Sequence, residues 1–126
     1  MGCGSDVPKT IQVTGRVTMN GKSPPGAGIV YFLPTKAADG FPSRPGSGDF
    51  DIDGVLSVTT FAPNDGLMPG KYAILFECWQ TPPNMEGKPV KSHIPAKYED
   101  SETSGFSLEI TPDMRSTVVN FDLVTK

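Results

Sequence analysis

The chain has 126 residues, a formal net charge of −3, 37% hydrophobic residues and 20% charged ones. That length suits one domain with a real core and is too short for two, and the composition is that of a globular chain rather than a disordered or membrane-spanning one. With no basic cluster, the electrostatic footprint of a nucleic-acid binder is missing.

The 14 glycines and 13 prolines punctuate the chain too often for long helices and favour short strands joined by turns. At the N-terminus, Met1-Gly2-Cys3-Gly4-Ser5-Asp6 reads as a bacterial lipoprotein after removal of its signal peptide. Met1 is then an added start residue and Cys3 the acylated one. Myristoylation is excluded because Asp6 stands where Ser or Thr is wanted. No apolar run reaches transmembrane length, so membrane attachment is expected only through a lipid on Cys3. Residues 1–9 are expected to be a flexible lipoprotein tether, and 10–126 the folded domain.

Residues Thr10 to Met19 alternate, with Ile11, Val13, Val17 and Met19 on one face and Thr10, Gln12, Thr14, Arg16 and Thr18 on the other. A period of two means a strand with one wet face. Asn20-Gly21 follows as a hairpin signal, since both residues tolerate positive φ. The return strand, Ala27 to Leu33, points Val30 and Phe32 inward, yet Ile29, Tyr31 and Leu33 make its other face apolar too. Such a strand needs cover on both sides. Pro34 to Gly48 reads as a long loop, a tolerated insertion.

Asp49, Asp51 and Asp53 followed by Gly54 match the opening of a calcium loop, but Thr60 stands where the closing acid belongs, and an Asp-Gly turn accounts for the pattern without metal. These three are the weak calcium candidates, and no cofactor is expected. Leu56, Val58 and Thr60 alternate with Val55, Ser57, Thr59 and Phe61. Tyr72, Ile74, Phe76 and Cys78 are expected inward on the strand Lys71 to Trp79, where the Cys78 thiol acts as a small hydrophobe. Ala73, Leu75 and Trp79 are again partly apolar. The Pro-rich segment from Gln80 to Gly105 is the expected cover for both apolar outer faces, with Ile94 and Tyr98 anchoring on Ile29, Tyr31 and Leu75 and a single helical turn from Ala96 to Glu102. Two strands follow, with Phe106, Leu108 and Ile110, then Val119, Phe121 and Leu123, on their inner faces.

The pattern predicts an all-β fold: a seven-stranded Greek-key β-sandwich, transthyretin-like or Ig-like, with a long Pro-rich cross-over segment. No βαβ alternation occurs, so a parallel sheet is not expected. Val13 to Val17 with Asn20-Gly21-Lys22, Ala27 to Pro34, Asp51 to Leu56 and Pro69-Gly70-Lys71-Tyr72 together resemble the carboxypeptidase regulatory-like domain, a transthyretin-like sandwich. Ile94 to Tyr98, Thr103-Ser104-Gly105 and Asn120 to Leu123 are similar to a group of small lipoproteins abundant in planctomycete-type bacteria. The resemblance covers about Val13 to Leu123 and implies an exported, lipid-anchored protein of the periplasm or outer membrane. It implies no particular activity.

The transthyretin-like fold includes 5-hydroxyisourate hydrolase, but the clustered His and Arg residues and the terminal Tyr-Arg-Gly-Ser of that family have no counterpart here. His93 is the only histidine, and no Ser is marked for activation by it. The expected function is therefore a non-catalytic accessory or structural module of the cell envelope, contacting an envelope protein or a glycan. The alternative is a glycan- or peptide-binding module that uses Trp79, His93, Lys97 and Tyr98. A more remote alternative is a calcium-stabilised adhesion module.

Overall fold

The computed structural model describes residues 9–81, 85–87, 89 and 91–124. Cys3 and the tether up to residue 8 lie outside them, as do Pro82 and Pro83. The described strands are β1 (Gln12–Met19), β2 (Gly28–Ala37), β3 (Gly46–Phe50), β4 (Val55–Thr59), β5 (Gly70–Glu77), β6 (Trp79–Thr81), β7 (Lys91–Ser92), β8 (Ser107–Ile110) and β9 (Ser116–Leu123), with one 3-10 turn at Ala96–Glu99. Seven of them form one mixed sheet in the order β8-β5-β2-β3-β4-β1-β9, while β6 and β7 make a separate ribbon. The domain is all-β as expected, but the strands expected to divide between the two sheets of a Greek-key sandwich lie in one continuous mixed sheet.

The link between β8 and β9 dictates the shape. These strands are the two edges of the sheet, yet β9 starts at Ser116, six residues after β8 ends at Ile110. Six peptide steps reach at most about 22 Å, whereas seven flat strands would hold their edges about 29 Å apart. The sheet therefore curls into a half-barrel. Its open seam is filled by aromatic rings: Phe106, just before β8, lies 5.4 Å from Phe121 on β9, and Phe76 on β5 lies 5.5 Å from each of them, all near edge-on. Edge-to-face pairing suits ring quadrupoles.

Alternation within the strands supplies the rest of the core. Ile11, Val13 and Val17, Val30 and Phe32, Leu56 and Val58, Tyr72, Ile74, Phe76 and Cys78, and Val119, Phe121 and Leu123 are all buried, on the faces their period of two predicts. Burying a Val, Leu, Ile or Phe contributes about 1.5–3 kcal/mol. The Tyr72 hydroxyl donates to the Met68 carbonyl at 2.7 Å. Buried Ser104 donates to the Ile74 carbonyl and accepts from the Phe106 amide, fixing the aromatic cluster to β5.

Four further expectations are corrected. Asn20 and Gly21 do take positive φ, at 54° and 78°, and Met19 and Lys22 exchange both backbone hydrogen bonds. The hairpin nevertheless stops there, because Pro24 and Pro25 lack the N–H groups a ladder needs, and β2 pairs with β3 and β5 instead. The stretch expected as one long loop is shorter, since β2 runs to Ala37 and β3 begins at Gly46. The sheet holds one parallel pair, β1 with β9, in unbroken register from Gln12 opposite Ser116 to Met19 opposite Leu123. First and last strands can run parallel without a βαβ crossover because the whole domain is the connection between them. Finally, Ile94 and Tyr98 pack inside, not outside: both belong to the inner core, and the Tyr98 ring stands 6.3 Å from Phe76.

Candidate functional site

That last correction leaves the outer face of β2 and β5 without its expected cover from Ile94 and Tyr98. Across most of the sheet the outward side chains are polar: Gln12, Thr14 and Arg16 on β1, Ser47 and Asp49 on β3, Ser57 on β4, Ser107 and Glu109 on β8, Asn120 and Asp122 on β9, with Val55 and Val118 as isolated apolar exceptions. On β2 and β5 they are Ile29, Tyr31 and Leu33, and Ala73 and Leu75. Register sets Tyr31 opposite Leu75 and Leu33 opposite Ala73, so these make a continuous apolar strip, each residue half-buried. Trp79 extends the strip beyond the end of β5.

At the Trp79 end the strip opens into a groove of about 410 Å³, lined by Ala27, Gly28, Ile29, Asp49, Phe50, Glu77 and Trp79. Its base is a single cross-strand row. Ile29 stands opposite Asp49 on one side and Glu77 on the other, so an isoleucine is flanked by two carboxylates on neighbouring strands, each about 4.8 Å away along the ladder. Glu77 accepts a hydrogen bond from the Tyr31 hydroxyl at 3.0 Å. Burial, that bond and the negative charges of Glu77 and Asp49 push the Tyr31 phenol above its ordinary value, keeping it a neutral donor.

Behind the groove, β2 packs tightly on its inner side because residue 28 is glycine. A Cβ there would stand 2.4 Å from the Phe50 ring and 2.2 Å from the Glu77 carbonyl oxygen. The bare backbone lets Phe50, directly opposite, lie across β2.

The four residues expected to bind ligand do not form one patch. Trp79 lines the groove on the outer face. Tyr98 lies inside, 4% exposed, its hydroxyl donating to the Val124 carbonyl at 3.2 Å and accepting from the Val124 amide at 2.9 Å. Tyr98 thus pins the 3-10 turn to the end of β9 and is withdrawn from any surface. Lys97 is exposed and folds its ammonium over the Tyr98 ring, 4.9 Å from the centroid. His93 donates its backbone N–H to the Cys78 carbonyl at 2.7 Å and sets its ring beside Gly26.

The three calcium candidates also diverge. Asp51 Oδ1 accepts from the amides of Asp53 and Val55, both at 2.9 Å, an Asx-turn that closes the loop on itself. Asp49 belongs to the groove row, and the Asp53 carbonyl accepts from Arg16. No group of three or more His, Cys, Asp or Glu side chains among the described residues is placed to hold a metal. Cys78 is a buried free thiol directed at the Gly26 carbonyl, 3.5 Å away. Burial pushes its pKa up, which holds it in the unreactive protonated form at neutral pH.

Comparison with protein-family models, with curated proteins and with solved structures finds no match. The site is read from its own geometry. Ile29, Asp49, Phe50 and Glu77 join Trp79 only once the strand order is known. Their one trace in the sequence is the apolar outer face of two strands.

Proposed function

We propose that this chain is a non-catalytic accessory module of the cell envelope, tethered by an acylated Cys3 and holding a partner protein against the outer face of β2 and β5. In this reading it is a carboxypeptidase regulatory-like domain with transthyretin-like Greek-key ancestry, exported and lipid-anchored. The observation that carries it is the half-exposed strip of Ile29, Tyr31, Leu33, Leu75 and Trp79, continuous across two neighbouring strands, on a sheet whose remaining outer face is mostly polar, with Val55 and Val118 as single apolar exceptions on β4 and β9. An apolar strip with a polar surround is the usual anatomy of a contact surface.

The fate of the polar side chains supports the same reading. Both oxygens of the Asp65 carboxylate accept backbone N–H groups, from Thr60, Phe61 and Ala62. The Asp122 carboxylate takes bonds from Thr18 and from the Gly21 amide. These are carboxylates spent on turns and strand junctions, as a scaffold uses them.

The test is a photo-cross-linking residue placed at Leu33 in cells of the source organism, with the same residue at Gln12 on the polar flank as control. We expect one discrete adduct at Leu33 and none at Gln12. Equal labelling at both positions, or none at either, overturns docking on this face. Loss of membrane fractionation in Cys3→Ser checks the tether separately.

A further inference from the structure

We propose that the groove at the Trp79 end of the strip seats an arginine or lysine side chain from an extended basic segment of the partner protein. The inference rests on the outer-face reading above and adds the chemistry of what docks there. Two carboxylates, Asp49 and Glu77, flank Ile29 in one row, and Trp79 lines the same groove. Neither carboxylate is paired with a lysine or arginine among the described side chains. A cation over Ile29 is bracketed by both negative charges and lies beside an indole, the aromatic that attracts cations best. The stem of a lysine or arginine is apolar and lies on Ile29 while its head reaches the acids.

Spacing argues for a peptide rather than a free cation. Along the strands the rows run Ile29 with Glu77, Tyr31 with Leu75, then Leu33 with Ala73, one row every two residues, or about 6.8 Å. An extended peptide repeats its side chains at the same interval. A basic residue in the groove therefore places the side chains two and four residues further on over the apolar rows. The preferred segment reads basic, any, apolar, any, apolar. The Tyr31 hydroxyl, already donating to Glu77, holds that carboxylate between the groove and the first apolar row.

Trp79 is the sole tryptophan, so its emission reports on the groove directly. The experiment titrates the full chain with acetyl-Arg-Ser-Leu-Ser-Leu-amide and with the same peptide carrying Gln in place of Arg, at low and at high salt. We expect a saturable change in Trp79 emission with the arginine peptide, about tenfold tighter than with the glutamine peptide and weakened by salt. Glu77→Gln and Asp49→Asn each keep the size of the side chain, and each is expected to remove most of that preference while leaving the weaker glutamine peptide unchanged. Equal binding of the two peptides overturns the cation site but leaves an apolar docking face. Binding of neither peptide overturns this inference, and the cross-linking at Leu33 still decides the face independently. A saturable response to a soluble cello-oligosaccharide instead of the peptides overturns it in favour of a glycan.

Discussion

Three protonated groups, the Tyr31 and Tyr72 hydroxyls and the Cys78 thiol, couple the stability of the fold to alkaline pH. Tyr72 and Cys78 are buried, and burial raises both pKa values above their ordinary 10.0 and 9.0; Tyr31 is raised first by burial and then by Glu77. A raised folded-state pKa means that the native chain holds its proton where the unfolded chain has lost it. The contribution is fully present below the unfolded values and disappears as pH rises through the folded ones. Deprotonated Tyr72 also loses its donation to the Met68 carbonyl. Urea midpoints should therefore hold steady to about pH 8.5 and fall above about pH 9. Cys78→Ala should remove the earliest part of that fall, and a flat profile up to about pH 10.5 would contradict the burial of these groups.

At the scale of strands, the least legible element is β3, Gly46-Ser47-Gly48-Asp49-Phe50. Its inward positions before Phe50 are glycines, so it shows no apolar alternation and reads as loop. The reason is spatial: a Cβ on Gly48 would stand 2.8 Å from Leu56 Cδ1 and 2.9 Å from the Ser57 carbonyl oxygen, and one on Gly46 would meet Leu67 Cδ2 at 2.3 Å. Side chains of neighbouring segments occupy the volume that β3 leaves. Gly48→Val should accordingly cost about 1–3 kcal/mol or more by overpacking, while Ser47→Val, on the outer face of the same strand, should stay within about 0.5 kcal/mol, both read from urea unfolding. β1, β5 and β9 were legible because each fills its own inner face at a period of two. The Pro-rich segment was legible as cover but not as to side, since without periodicity nothing in Ile94 to Tyr98 says which face of the sheet it crosses. The groove escaped for a related cause. Asp49, Ile29 and Glu77 become neighbours only through the order β5-β2-β3, and the sequence points to a β1–β2 hairpin in its place.

For the molecule as a whole, the half-barrel depends on its last strand. β9 pairs along its full length with β1, contributes Phe121 to the aromatic seam and receives the Tyr98 hydroxyl at Val124. A chain ending at residue 115 loses all three. We expect it to lack a dispersed amide NMR spectrum, and a dispersed one would show that the remaining six strands close by themselves. The same pairing has a consequence in time. A chain emerging N-terminus first presents β1 before the other described strands, but β1 pairs only with β4 and β9, and β9 follows all the other described strands. Contacts of such long sequence separation are slow to form. The sheet therefore closes only after β9 has been delivered, and until then β1 has one partner strand in place of two.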